Sequence, residues 1–358
     1  MARRKKRLWP PVDVERAIRV IDNHTHLPLE RREVPRDSQR IALPLTEQLA
    51  RARVLGVEAV ISSACSVPDI RAAREVIERW RAAGDPTHPG PGLACEEEMY
   101  AALAEALDAL QDDDDAPTFV TGEPSAPNRT IDLPTVSWAF GIHPNEAAIH
   151  AGYRDRSPDG LIPSVKDYHA LSLDEALAVV ADGARDQAVV AIGETGLDYY
   201  RTGESGREAQ RAGFRAHIAL AKELDLPMQI HDREAHEDVV ATLRADGAPE
   251  RTIFHCFSGG VELARLCNEH GWYASFAGPL TYPANEELRA AAGEIREELI
   301  LVETDAPYLT PIPWRGRPNA SYCVGETLRT LAQVRGENPT AFAERTARRT
   351  RTLYDLQV

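Results

Sequence analysis

Short apolar, largely β-branched runs recur along the chain at 18–22 (IRVID), 57–64 (VEAVISSA), 136–142 (VSWAFGI), 188–194 (AVVAIGE), 227–232 (PMQIHD), 252–257 (TIFHCF), 272–278 (WYASFAG) and 298–305 (ELILVETD). Several are almost continuously apolar, as strands are when both of their faces are buried. The segments between them, for example 68–83, 172–185, 207–225, 260–270 and 285–297, carry apolar residues at helical spacing and charges elsewhere. Eight strands alternating with helices predict an α/β protein of the (β/α)8 TIM-barrel type. An open doubly wound sheet is the alternative, but it normally carries a glycine-rich phosphate loop after its first strand, and none is present.

Two stretches break the rhythm. Residues 84–135 are rich in Pro, Gly, Asp and Glu and include QDDDD (111–115) and TGEPSAPNRT (121–130), around one helical pattern near 96–111. Residues 151–170 form a shorter irregular stretch after the third strand. Both read as insertions in a single barrel domain spanning 18–358, preceded by a basic N-terminal tail at 1–17. The acidic run reads as a solvated turn, since unpatterned like charges repel and stay wet. The start, MARRKKRLWPP, lacks the apolar segment of a signal peptide. Nor does any stretch approach the ~18 apolar residues of a membrane span.

Composition narrows the function. The 358 residues suit a barrel with insertions. Lys+Arg 41 against Asp+Glu 56 gives a net charge of −15, which excludes nucleic-acid binding through a broad basic face. A polyanionic substrate would have to be held locally, by a few arginines or by metal ions. The cysteines (Cys65, Cys95, Cys256, Cys267, Cys323) are an odd, scattered set without a CxxC pair. That pattern argues against a disulfide framework and a cysteine zinc site, and for a reducing, cytoplasmic compartment.

The C-terminal ends of barrel strands are where such folds build their sites. Here those ends carry His24 and His26, then His143 in GIHPNEA, Glu194 and Asp198 in GETGLDYYR, His231 and Arg233 in IHDRE, His255 in FHCFSGG, and Glu303 and Asp305 in ETDAPYL. Five of the eleven histidines fall on these ends. A single histidine there would be an ordinary hydrogen-bonded group, but convergence of so many on one rim points to divalent metal. Imidazole and carboxylate together suit zinc, manganese, magnesium, iron or cobalt. His24 and His26, two apart on a strand, face the same side and can grip one ion, with Asp305 closing the ring. The remaining groups suffice for a second ion sharing a bridging carboxylate. Trp138, Phe140, Trp272 and Phe276 read as packing residues, Cys256 as a buried small hydrophobe, and the glycines of GETGLD as tight turns at the rim. Tyr199 and Tyr200 are left open between packing and a place at the mouth.

The set HTH, GIHPNEA, AIGETGLDYYR, LPMQIHDREA, HCFSGG and ETDAPYLTP, in this order from about residue 18 to the C-terminus, resembles the TatD family of metal-dependent deoxyribonucleases within the amidohydrolase-like barrels. The resemblance implies two divalent ions (Mg2+, Mn2+ or Zn2+). His24, His26 and Asp305 would hold one, His231 and His255 the other, and Glu194 would bridge them. It makes Glu194 and Asp305 catalytic, with Asp305 also taking a proton from the attacking water. It sets His143 and Arg233 near substrate phosphate, and Glu303 beside substrate or behind a ligand. The implied activity is hydrolysis of DNA phosphodiester bonds, single strands or 3′ ends being attacked in the 3′–5′ direction, with no membrane and no obligate protein partner. An ester, amide or aminoacyl-tRNA ester is the alternative substrate, because fold and metals do not fix it. A non-catalytic binding protein is the reading from another class, disfavoured because every expected ligand position is filled. One departure from the family pattern is Pro28 after Leu27, where an acidic residue is usual.

Overall fold

The computed structural model describes residues 9–29, 43, 45–85, 87, 120–121, 130–131 and 133–356. The basic segment 2–7, the helix expected near 96–111 and the acidic run 111–115 lie outside the described residues. Among the described residues, one eight-stranded parallel sheet runs in strictly sequential order. Its strands are β1 (Val20–Thr25), β2 (Val57–Ala64), β3 (Thr135–Phe140), β4 (Val189–Asp198), β5 (Met228–Arg233), β6 (Thr252–Phe254), β7 (Tyr273–Phe276) and β8 (Ile300–Val302). The ring closes just past β8. There the Asp305 N–H donates to the His24 carbonyl at 3.0 Å, and the His26 N–H donates to the Ala306 carbonyl at 2.7 Å. The buried Asp22 carboxylate reinforces the seam by accepting from the Thr304 N–H at 2.8 Å and its hydroxyl at 2.6 Å. Closure removes the sheet edge that an open arrangement would leave unpaired.

The helices α1 (Leu45–Val54), α2 (Val67–Ala83), α3 (Pro144–His150), α4 (Leu173–Gly183), α5 (Glu204–Leu224), α6 (His236–Asp246), α7 (Val261–His270), α8 (Glu286–Glu294), α9 (Val324–Arg335) and α10 (Pro339–Tyr354) cover the sheet. Alternation along the strands divides the core in two. Val20, Val60, Trp138, Phe140, Ile192 and Ile230 pack with the helices. Ile21, Ala59, Ile61, Ala139, Ala191, Ile253 and Leu301 fill the barrel interior together with Tyr354 of α10. The packing role expected for Trp138, Phe140, Trp272 and Phe276 matches their complete or nearly complete burial.

Two strands differ from the sequence pattern in ways that matter for the site. β4 was expected to end at residue 194, yet it continues to Asp198, with Gly196 opposite His231 and Asp198 opposite Arg233 on β5. The glycines of GETGLD therefore lie inside a strand. A register shift between Ile192 and Thr195 lets β4 press against its neighbour. A Cβ on Gly193 would stand 2.6 Å from the Gln229 carbonyl oxygen, and one on Gly196 only 2.1 Å from that of His231. Both residues have positive φ, so glycine is required by conformation and by space. β8 in turn is short, and Asp305 follows it in the left-handed region with φ 50°. Asp tolerates this conformation better than most residues do.

Candidate metal centre

Glu194 is the hub of the rim. Its two carboxylate oxygens face two different groups of imidazoles. Oε2 lies 3.6 Å from His24 Nε2 and 3.5 Å from His26 Nε2. Oε1 lies 2.7 Å from His231 Nδ1, 3.2 Å from His255 Nε2 and 3.3 Å from His143 Nε2. Asp305 Oδ1 stands 3.4 Å from His26 Nε2, on the first side of this divide. The structure thus brings together all six residues expected as ligands, and adds His143 to the same cluster.

Three of the imidazoles are pinned from behind. His24 Nδ1 donates to Gln229 Oε1 at 2.8 Å, because an amide oxygen can only accept. Gln229 is itself fixed by donating to the Asn23 carbonyl and to the Tyr354 hydroxyl, each at 2.8 Å. His26 Nδ1 donates to the Ser63 carbonyl at 3.3 Å, and His255 Nδ1 to Glu303 Oε1 at 3.2 Å. Each ring therefore turns its Nε2 toward Glu194, the arrangement in which an outer acceptor orients a metal-binding histidine. Glu303 also accepts from the Cys256 N–H at 2.7 Å and has no exposed surface. Of the two places expected for it, the geometry favours the one behind His255 over contact with substrate. Cys256, expected as a buried small hydrophobe, is only half-buried and sits at φ 43°, ending β6 so that His255 reaches the rim.

The donor set fits a divalent cation. The buried Nε2 atoms of His231 and His255 have no hydrogen-bond partner. Each nevertheless points within 3.3 Å of a carboxylate oxygen, of Asp198 and of Glu194 respectively, outside hydrogen-bond geometry. Buried polar atoms are normally satisfied, so nitrogens aimed at carboxylates in this way suit an ion held between them. The electrostatics agree. Burial opposes charge on Glu194, yet His255, His143 and His231 together hold its carboxyl well below the usual range. Burial likewise works against the imidazolium forms, but the facing carboxylates push His255 well up and His231 to about 9. Asp198, although burial opposes its charge, is held at about 2 by the facing His231. The rim stabilises anions beside positive charge, which a divalent cation supplies.

Sequence reasoning missed several supporting residues. Gln229 and Asn23 carry no signal of their own in the sequence, and Cys65 reads only as one of a scattered set. Asp198 was seen as a strand end, without its bond to Asn145 Nδ2 at 3.1 Å. Arg233 is exposed at the rim, its guanidinium 4.0 Å over the ring of Tyr200, which answers the open question for that tyrosine. Tyr199 is buried and bonded to Asp238 instead. His217 of α5 is fully buried, accepting from the Ile142 N–H at 3.1 Å and donating to the Gly213 carbonyl at 2.7 Å, just below His143.

Burial drives the His217 pKa down to about 4 from its ordinary 6.5. With a depressed folded pKa, the unfolded chain binds more protons between those values. Stability is then fully present above pH 6.5 and falls as pH drops toward 4, by on the order of 2–3 kcal/mol. Urea midpoints between pH 7.5 and 5 should fall more steeply for the native chain than for His217→Gln. Equal slopes would show that this histidine does not titrate as its burial demands.

Comparisons with known proteins agree with this geometry. Residues 129–355 match the family model described as TatD related DNase. The metal-dependent hydrolase TatD of Mycobacterium tuberculosis, whose name marks it as uncharacterized, is 44% identical over 172 residues, covering 47% of this chain and 65% of that protein. YabD of Bacillus subtilis, similarly named, is 41% identical over 45% of this chain and 64% of its own length. The chain thus spans just under two thirds of the length of these curated relatives. The Salmonella typhimurium protein named 3′-5′ ssDNA/RNA exonuclease TatD is 33% identical over 60% of this chain and 85% of that protein. In fold, the chain is similar to a TatD homolog of Escherichia coli (TM-score 0.61, 20% identity, 95% of this chain and 99% of that one) and to a TatD-family hydrolase of Entamoeba histolytica (TM-score 0.65, 17% identity, 94% and 98%).

Proposed function

We propose, from the premise that this chain belongs to the TatD-related DNase family, that it is a divalent-metal-dependent hydrolase of DNA phosphodiester bonds, acting on single strands from a 3′ end. One observation carries the reading. The two oxygens of Glu194 face two separate sets of imidazoles, three of which are pinned at Nδ1 so that Nε2 is presented. His24, His26 and Asp305 would hold one ion, and His231 and His255 a second, with Glu194 shared between them. Ions held there supply Lewis-acid charge to the scissile phosphate and acidify water.

The chain's own residues do the rest. Asp305 is held ionised, since His26 outweighs the opposing effect of burial, and it accepts the proton of the attacking water. Arg233, braced on Tyr200, offers a planar fork for phosphate oxygens at the open side of the rim. His143, which caps α3 by accepting from the Asn145 N–H at 3.1 Å, is positioned to contact the same phosphate. Local cations of this kind let a chain of net charge −15 bind a polyanion without a basic face. We read 18–358 as one hydrolase unit with its insertions, working in the cytoplasm. Among the described residues no helix is long and apolar enough to cross a membrane.

A smaller ester or amide substrate is favoured by one feature. Beside His143 opens a cavity of about 740 Å³ whose lining carries Asp69, Glu146 and Asp167 against a single Lys166, an excess of negative charge. The two readings separate in one experiment. Metal-stripped protein resupplied with Mg2+, Mn2+ or Zn2+ is expected to shorten a 5′-labelled single strand progressively from its 3′ end. Arg233→Ala should lower kcat/KM on DNA by about 10²-fold, the scale of losing one charged transition-state contact. Metal-loaded protein that leaves DNA intact but cleaves small esters would transfer the site to the second class.

A further inference from the structure

Cys65 follows β2 directly and stands at the rim between the first and third strands. Its carbonyl accepts from the His143 N–H at 2.9 Å, which fixes the backbone there. The side chain is half-buried and lines the cavity beside His143, so it is not sealed in an apolar pocket. Its sulfur, a ring nitrogen of His26 and a carboxylate oxygen of Glu194 all lie within 4.8 Å of one another. Two ligands with bonds of about 2.0–2.3 Å to one tetrahedral ion sit about 3.3–3.8 Å apart. Shifts of about an ångström or less at each side chain therefore bring the three onto a common ion.

His26 already belongs with His24 and Asp305, whose ligand atoms form another group within the same spacing. Among the described residues, the other cysteines join no such group. Cys256, although next to His255, offers its N–H to Glu303 and no sulfur to the cluster.

We propose that Cys65 is a thiolate ligand of the ion held by His24 and His26, and that it makes this site select zinc-class ions over magnesium. The inference rests on the metal centre proposed above and specifies one of its ions. On coordination the S–H bond is broken, the sulfur lone pair binds the cation, and the proton leaves to solvent. Soft thiolate favours zinc and cobalt, whereas magnesium takes oxygen ligands and keeps its water. Chain spacing concealed this ligand because its partners lie on other strands, and no CxxC pair is needed.

The test is titration of the metal-stripped full chain with Co2+. The native protein is expected to develop visible d–d bands together with a near-ultraviolet thiolate-to-cobalt charge-transfer band. Cys65→Ser and Cys65→Ala should keep the d–d bands and lose the charge-transfer band. Their Zn2+ affinity should fall by at least about tenfold, the lower end of what losing even an outer-shell partner costs. Mg2+ affinity should stay within about twofold of native. Without any variant, Zn2+ but not Mg2+ should slow alkylation of Cys65 by iodoacetamide, read by peptide mass. Cobalt bound without the charge-transfer band, or a band that survives in Cys65→Ser, would overturn the Cys65 assignment and leave the metal centre standing. Failure to bind cobalt at all would overturn both.

Discussion

Glu194→Gln is expected to abolish hydrolysis of single-stranded DNA, lowering kcat by roughly 10³-fold or more, and to reduce the bound ions from two per chain to one or none. The substitution keeps shape and volume but replaces one acceptor oxygen by an N–H2 donor. That donor would point into one of the two imidazole groups facing the native carboxylate at 2.7–3.6 Å. Whichever way the amide turns, one set of nitrogens meets a hydrogen where a shared anion stood. Loss of a single well-placed charge-stabilising group costs 10²–10³ in kcat. Loss of a residue that joins two ions, as proposed for Glu194, should cost more, because both lose it at once. Metal content by mass spectrometry and a labelled-strand assay on the same preparation provide the check. A Glu194→Gln protein that keeps two ions and more than a tenth of native activity would remove Glu194 from the centre of the site.

Gly196→Ala should be severely damaging, costing about 3–5 kcal/mol and leaving little folded protein. A Cβ there lies 2.1 Å from the His231 carbonyl oxygen, a backbone atom that no rotamer change can move. Relief would require β4 and β5 to separate where Gly196 pairs with His231, displacing that candidate ligand and the Glu194 strand together. The backbone also sits at φ +135°, which costs an L-residue energy even in open space. Gly84→Ala isolates that conformational part, because Gly84 has a similar φ of +128° with nothing within 4 Å of the added carbon. Gly84→Ala should cost only about 1 kcal/mol. The urea midpoints of the two variants give the comparison. Equal small losses in both would mean the strands yield easily and that β4 is not pinned as the structure has it.

Much of this molecule was legible in the order of its residues. Runs buried on both faces read as continuous apolar strands, and the helices between them as amphipathic stripes. Both patterns are local consequences of periodicity, so the (β/α)8 alternation follows from single segments. Strand ends could then be searched for chemistry, and His24, His26, Glu194, His231, His255 and Asp305 stood out because each is a polar residue closing an apolar run.

What the pattern could not supply is anything that depends on two strands meeting. The continuation of β4 past Glu194 exists because its glycines fit against the backbone of β5, whereas glycine in sequence reads as a turn. Gln229, Asn23 and Tyr354 are far apart in the chain, and only closure of the barrel makes them a hydrogen-bonded support for His24. Cys65 is an unremarkable thiol in sequence until the ring brings it beside His26 and Glu194. Local periodicity therefore determined the elements and most of the candidate ligands. Tertiary structure decided which nitrogens face which oxygens, because those distances arise between side chains whose separation along the chain carries no record of them.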